Sequence, residues 1–222
     1  MSRGTVEYNN RRLRHLVGMA SLATHPQLNT IRLQLRQNLV LRDMTPAQWE
    51  ELEPLLAVCD YRKGELLVRQ GDSEMEQFFI LEGMLKRVVS NAEGREMILR
   101  FAAETDMDTS YAAWCLGTPT PYSIVAVTKV RTAMLSMAHW VEFLERHGDI
   151  KSRFEHEIMK LMSEVMAHTI TLHLLDAPGR LSRFQRKHRE LTGRIPSKEL
   201  ASYLNLTPET LSRLKQRMRQ PA

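Results

Sequence analysis

Near the C-terminal end, Glu209, Thr210, Ser212, Arg213 and Lys215 crowd into seven residues. Their types suit the reading of base edges. In a major groove an arginine donates to guanine O6 and N7, and a glutamate accepts from cytosine N4. Thr207, Lys215, Arg217 and the basic residues of 180–194 have the chemistry to meet phosphates. The plainer alternative is a helical hairpin whose charged face is merely solvated.

Base reading needs a rigid helix presented at a fixed angle. Ser197 reads as the N-cap of a short helix over Lys198–Leu204, with Leu200, Ala201 and Leu204 inward. Asn205 follows, a residue type that tolerates positive φ. Thr207 then reads as a second N-cap, with Pro208 at the first helical position and Glu209 as an acid in the first turn. Leu211, Leu214 and Met218 recur at i, i+3 and i+7 as an apolar stripe. Ala201 is small where a second helix must cross the first. These features predict a helix-turn-helix. The candidate DNA-facing set is Ser197, Thr207, Pro208, Glu209, Thr210, Ser212, Arg213, Lys215 and Arg217.

The rest of the chain has to carry that element. Its 222 residues allow one or two domains. Composition is that of an ordinary globular protein, and no apolar run is long enough to cross a membrane. Charge is unevenly spread. By position, residues 1–42 sum to +6, residues 43–179 to −9 and residues 180–222 to +8. A basic end beside an acidic middle suits a polyanionic partner. Two cysteines, Cys59 and Cys115, are too few for a disulfide framework, and a cytoplasmic setting fits. Arg11, Arg12 and Arg14 precede an apolar stretch at Leu16–Ala23 in the order of a signal peptide. Gly18 and Ser21 interrupt it, and a basic, partly helical extension is expected instead.

Strand-like segments follow from about Leu52: Glu65–Gln70, Phe78–Leu81, Leu85–Val89, Glu96–Phe101, Ser123–Thr128 and Val130–Ser136. Turn residues such as Gly71-Asp72 and Asn91-Ala92-Glu93-Gly94 separate them. This pattern predicts an antiparallel sandwich or barrel. A short helix at His139–His147 comes next, then a long one from Asp149 to Leu175. In the long helix Phe154, Ile158, Leu161, Val165, His168 and Leu172 form a narrow apolar seam that suits a parallel dimer. The alternative is packing of that seam on the chain's own β domain. Asp176-Ala177-Pro178-Gly179 reads as boundary and hinge, followed by a basic helix over Arg180–Thr192. The expected domains are therefore a basic extension (1–42), a β-roll sensor (43–148), a dimerisation helix (149–175) and a helix-turn-helix domain (176–222).

At this point the chain resembles the Crp/Fnr family of bacterial transcription regulators. The resemblance covers about residues 45–222. Arg62-Lys63-Gly64-Glu65, Gln70-Gly71-Asp72, Phe79-Ile80-Leu81-Glu82-Gly83 and Glu93-Gly94-Arg95-Glu96 look like that family's β-roll motifs, and Ile195 to Arg213 like its helix-turn-helix. The family implies an α+β fold: an antiparallel, jelly-roll-like β-roll, a long dimerisation helix and a C-terminal helix-turn-helix. It implies a homodimer on double-stranded DNA, with RNA polymerase as a further partner. Glu209, Ser212 and Arg213 match the Glu-x-x-Ser-Arg pattern of the Fnr branch. This implies a palindrome of TTGA-like half-sites.

Two departures follow from the same resemblance. Cyclic-nucleotide members hold the ligand phosphate with a Gly-Glu pair and a later Arg-Ser pair. The corresponding stretches here read Thr105-Asp106-Met107-Asp108-Thr109-Ser110 and Thr118-Pro119-Thr120-Pro121-Tyr122-Ser123, and no arginine lies between Arg100 and Arg131. Cyclic AMP is therefore not expected as effector. Residues 1–58 hold none of the cluster-binding cysteines of the Fnr oxygen sensors. Asp108, Thr109, Ser110, Tyr111, Trp114, Tyr122 and Ser123 remain as a candidate pocket for another small molecule, and no cofactor is expected. A constitutive regulator with a vestigial sensor is the alternative.

Catalysis and metal binding find little support. A cupin-like enzyme needs a His-x-His face on its strands, and residues 62–136 contain no histidine. His168 and His173 are five apart and make a poor metal pair, so no metal site is expected. His168 in the seam reads as a register-setting residue, with a pH switch or a haem ligand as alternatives. Cys115, in the apolar run Ala112–Leu116, reads as a buried structural thiol, with redox sensing as the alternative.

Overall fold

A computed structural model describes residues 20–219, and the Arg11–Arg14 stretch lies outside it. Two antiparallel sheets form the N-terminal half. One runs in the order β1 (Ala20–Ser21), β2 (Ala57–Tyr61), β9 (Val130–Ser136), β4 (Glu76–Glu82), β7 (Met107–Thr109). The other runs β3 (Leu66–Val68), β8 (Ser123–Ala126), β5 (Leu85–Ser90), β6 (Glu96–Ala102). Alternation along β4 shows how the layers assemble. Phe78 and Ile80 point between the sheets, toward Leu85, Ile124 and Val130, while Phe79 and Leu81 point outward under helices. Both faces of β4 are therefore buried, so it reads as a continuous apolar run rather than an alternating one.

Helices cover the outer face of the first sheet. These are α1 (Leu28–Leu35), α2 (Pro46–Leu52), α4 (Met137–Arg146) and the start of the long α5 (Gly148–Leu174), while the short α3 (Tyr111–Leu116) follows β7. Thr45 and Gln48 close a reciprocal capping box at the start of α2. Trp140 anchors this layer. Its ring meets Phe79, Phe143 and Phe154 at centroid distances of 5.5, 5.6 and 5.3 Å. The expectation that residues 1–42 stand apart as an extension is overturned for their described part. Leu22, Ile31, Leu35, Val40 and Leu41 are fully buried in the β-roll's own core.

Gly83 makes the turn between β4 and β5 at φ +87°. A Cβ there would lie 2.1 Å from the Lys129 carbonyl oxygen. Gly83→Ala is expected to cost at least ~1–3 kcal/mol, from positive-φ strain plus a backbone clash. Urea denaturation measures that loss, and a variant as stable as the parent would contradict the turn geometry.

After α5 come α6 (Ala177–Lys187), α7 (Ser197–Tyr203) and α8 (Pro208–Arg219). The Asp176–Gly179 stretch is a helix start rather than a loose hinge. Asp176 Oδ1 accepts from the Gly179 N–H at 2.9 Å, and Arg180 Nε donates to the Leu175 carbonyl. Pro178 sits in the first turn, where no N–H is needed, so the proline that reads as a stop opens the next helix. The basic helix accordingly runs from Ala177 to Lys187 and not to Thr192.

Candidate nucleic-acid interface

Helices α7 and α8 form the expected helix-turn-helix. Ala201 is fully buried at the crossing, and Leu200, Leu204, Leu211 and Leu214 fill the core beneath it. Asn205 takes φ +52° in the turn. Thr207 caps α8, its Oγ1 accepting from the Thr210 N–H at 3.2 Å. Two details differ from the sequence reading. Pro196 occupies the N-cap of α7 and Ser197 is its first helical residue, with no side-chain cap bond. Met218 lies about half exposed, beyond the end of the buried stripe.

Glu209, Thr210, Ser212 and Arg213 are all exposed along one face of α8. The Glu209 carboxyl is held below its ordinary range, first by the backbone N–H at its own position and then by Thr207, with Arg213 adding to the effect. It stays an acceptor at neutral pH, as a partner for cytosine N4 must be.

The helix-turn-helix does not hang free. Its core is continuous with the outer face of the second sheet, where Met84, Val88, Ile98 and Phe101 meet Leu200, Tyr203 and Leu204. Tyr203 is the centre of this junction. Its ring stacks on His168 of α5 at 3.8 Å and 4°, and meets Phe101 of β6 at 5.3 Å and Phe184 of α6 at 5.6 Å. Lys86 Nζ reaches Glu199 Oε2 at 2.7 Å, and Arg194 reaches both Glu104 oxygens at 2.8 and 2.7 Å. These partners are far apart in sequence, and no spacing rule pairs them.

Burial in this junction pushes the His168 imidazole down to about 4, and neighbouring His188 and Lys187 push the same way; the Ile98 backbone offsets only part of it. Between about 4 and the ordinary 6.5 the unfolded chain binds the extra proton, so stability falls as pH drops through that window and levels off below it. His188 is lowered by burial as well and adds to the same slope. A His168→Gln variant is expected to show a flatter loss of melting temperature between pH 6.5 and 4. An unchanged slope would remove His168 from the account.

The seam read as a dimer interface faces inward. Phe154, Leu161 and His168 are buried by their own chain, and Ile158 packs against the helical core layer. The 3-4 spacing is real, but apolar periodicity does not say whose surface it meets. Solvent instead sees Met159, Met162, Met166 and Ile170, 50–64% exposed and on one face of α5, with Leu174 beyond them. Apolar residues spaced 3-4-4, three methionines and Ile170, are the signal that would have found this face.

The candidate effector residues separate into two groups. Asp108, Thr109 and Ser110 are buried together, and the Tyr122 hydroxyl donates to the Thr109 carbonyl at 2.6 Å. Tyr111 turns away onto Phe154, Trp114 is exposed, and Ser123 is used by the Gln70 N–H. Cys115 is exposed, contrary to the buried thiol expected, and Cys59 is the buried cysteine. Arg87 was not anticipated. Arg87 follows the ordinary alternation of β5, on the same inner side as Leu85, and the register shift beside it places the extra residue, Leu99, on β6. The Arg87 Nε donates to Asp108 Oδ1 at 2.6 Å, an Nη donates to the Thr109 carbonyl at 2.8 Å, and the guanidinium lies 4.5 Å from the centre of the Tyr122 ring. Burial opposes its charge and Asp108 more than restores it.

Comparison with known proteins agrees with this architecture. Residues 58–147 match the cyclic nucleotide-binding domain family. The nitrogen fixation regulation protein FixK of Bradyrhizobium diazoefficiens is 23% identical over 190 residues, 81% of this chain and 78% of FixK. The structure of FixK2 from Bradyrhizobium japonicum superposes with a TM-score of 0.66 at 15% identity, covering 74% of this chain and 84% of that one. A chain described as a transcriptional regulator of the Crp/Fnr family, from Eubacterium rectale, gives 0.65 at 16% identity, covering 82% and 87%. The chain shares the fold of these Crp/Fnr-type regulators. The matched FixK is itself named a regulation protein.

The cyclic nucleotide-binding domain match over residues 58–147 implies a cyclic nucleotide, and the residues present fit one poorly. The two stretches that would hold its phosphate do meet, but they satisfy each other. Ser110 Oγ and Thr120 Oγ1 lie 3.0 Å apart, and Tyr122 closes on Thr109. The buried cation beside them, Arg87, is already paired with Asp108. A buried phosphate there would meet a carboxylate instead of an unpaired cation.

Proposed function

We propose that this regulator binds DNA as a homodimer and recognises a palindrome of TTGA-like half-sites through Glu209, Ser212 and Arg213, without cyclic AMP. The observation that carries the proposal is the exposed face of α8. It presents an acid, a hydroxyl and an arginine at the spacing of the Fnr-type pattern on a capped, rigid helix. Ser197, Thr207, Lys215 and Arg217 would hold phosphates beside it. The unpaired apolar face of α5, Met159 to Ile170, is the surface that would meet a second copy. Two-fold symmetry then sets half-sites about 10 base pairs apart, centre to centre. RNA polymerase is the further partner this reading implies, in the cytoplasm. Among the described residues no helix is long and apolar enough to cross a membrane.

Fluorescence anisotropy on a duplex carrying that palindrome tests the assignment. Arg213→Ala is expected to weaken binding by ~1–3 kcal/mol and to relax preference at one base pair of each half-site. Unchanged preference in that variant would sink the recognition-helix assignment. The β-roll is read as answering an effector other than a cyclic nucleotide. The internal Arg87–Asp108 pair favours the second reading, a regulator whose DNA binding needs no small molecule.

A further inference from the structure

The disagreement between the family match and the β-roll interior has a specific origin. Strand β7 lies within the Thr105–Ser110 stretch that the family resemblance sets against a ligand phosphate, and here it carries Asp108, fully buried. Its carboxylate sits between two arginines that are cross-strand neighbours on β5 and β6. Arg87 Nε approaches Oδ1 at 2.6 Å, and Arg100 stands 3.8 Å from Oδ2. Asp108 Oδ1 also accepts from the Thr109 N–H at 2.8 Å, while Oδ2 has no hydrogen-bond partner among the described residues. Tyr122 covers the guanidinium of Arg87 from the side of the later stretch. Two cations, a backbone N–H and an aromatic lid thus surround the Asp108 carboxylate, with Asp106 sharing Arg100 from its other side at 3.7 Å. The surroundings are those of an anion-binding site, and the anion is covalently attached.

We propose that Asp108 is a built-in substitute for an anionic effector. Its carboxylate bridges the two sheets through Arg87, between β5 and β7, as a bound anion would. The chain therefore needs no cyclic phosphate and excludes one. Removing the carboxylate converts the position into a receptor for a small exogenous carboxylate. The consequence for regulation rests on the DNA-binding reading, but the site itself does not, and the test below uses no DNA.

Thermal melting of the full chain provides that test, with sodium formate compared against sodium chloride at equal ionic strength. The parent is expected to melt at the same temperature in both salts and to be unmoved by cyclic AMP. Asp108→Ala leaves Arg87 buried and unpaired, so its melting temperature is expected to fall by roughly 10 °C. Formate, entering the vacated space, is expected to restore at least half of that loss. Asp108→Asn, which keeps the side chain's shape, is expected to fall without responding to formate. Should the alanine variant fail to fold, Asp108→Ser vacates the same space with a smaller loss of polarity and carries the same expectation. Stabilisation of the parent by cyclic AMP would overturn the proposal. So would an Asp108→Ala or Asp108→Ser protein that melts alike in formate and chloride.

Discussion

Replacing Met162 and Met166 together by Glu is expected to leave the protein monomeric and to lower its affinity for a palindromic duplex ~10²–10⁴-fold. Both side chains are at least half exposed on α5, so the isolated chain should fold as before. Across a two-fold contact the substitutions would bring four carboxylates into an apolar seam lined by Met159 and Ile170. Each helix-turn-helix would then bind one half-site alone and lose the effective concentration its tether supplies. Sedimentation velocity reads the first effect and anisotropy titration the second. Substituting the inward residue Leu161 is the control. It should lower stability by ~2–5 kcal/mol by opening a cavity, without making the outward face of α5 polar. A double variant that remains dimeric and binds as tightly as the parent would remove the Met face from the account.

The second large effect is expected at the junction between sheet and helix-turn-helix. Phe101 is buried against Tyr203, yet it belongs to β6, so the core between α7 and α8 keeps its own leucines when Phe101 is cut back. Phe101→Ala should cost ~3–5 kcal/mol, from lost burial and the cavity left beside Tyr203. The parent, sharing one continuous core, is expected to unfold in urea in a single transition. The variant should show two, the helix-turn-helix separating first, with protease cleavage appearing near Leu175-Asp176, where the chain between α5 and α6 is not helical. One transition with little loss of midpoint would mean that the Lys86–Glu199 and Glu104–Arg194 pairs carry the docking instead. That outcome runs against the small worth of partly exposed ion pairs.

Local chemistry explains what the sequence made legible. Thr207, Pro208, Asn205 and Ala201 each answer a backbone or steric demand within a few residues, so the helix-turn-helix can be read directly. The strands bounded by Gly71, Gly83 and Gly94 were equally plain, because those turns need positive φ. β7 was missed because three residues, all buried, leave no alternation to detect. The inward direction of α5's seam was ambiguous for a different reason. Phe154 and Leu161 are apolar at the right period whether the β-roll or a partner covers them, and only tertiary packing decides. Arg87 was invisible because a strand arginine is normally a solvent-facing residue. It sits on the same inner side of β5 as Leu85, and its charge is tolerated there because Asp108, 21 residues away, comes to meet it.

Sequence-specific DNA binding by a symmetric dimer is what the exposed faces of α8 and α5 together predict. The most direct measurement is selection of bound duplexes from a random pool by the purified full chain, with and without cyclic AMP. Enrichment of the same palindrome of TTGA-like half-sites in both arms is the predicted result. No enriched sequence in either arm would contradict the recognition face on α8, and enrichment only with cyclic AMP would contradict the closed interior of the β-roll.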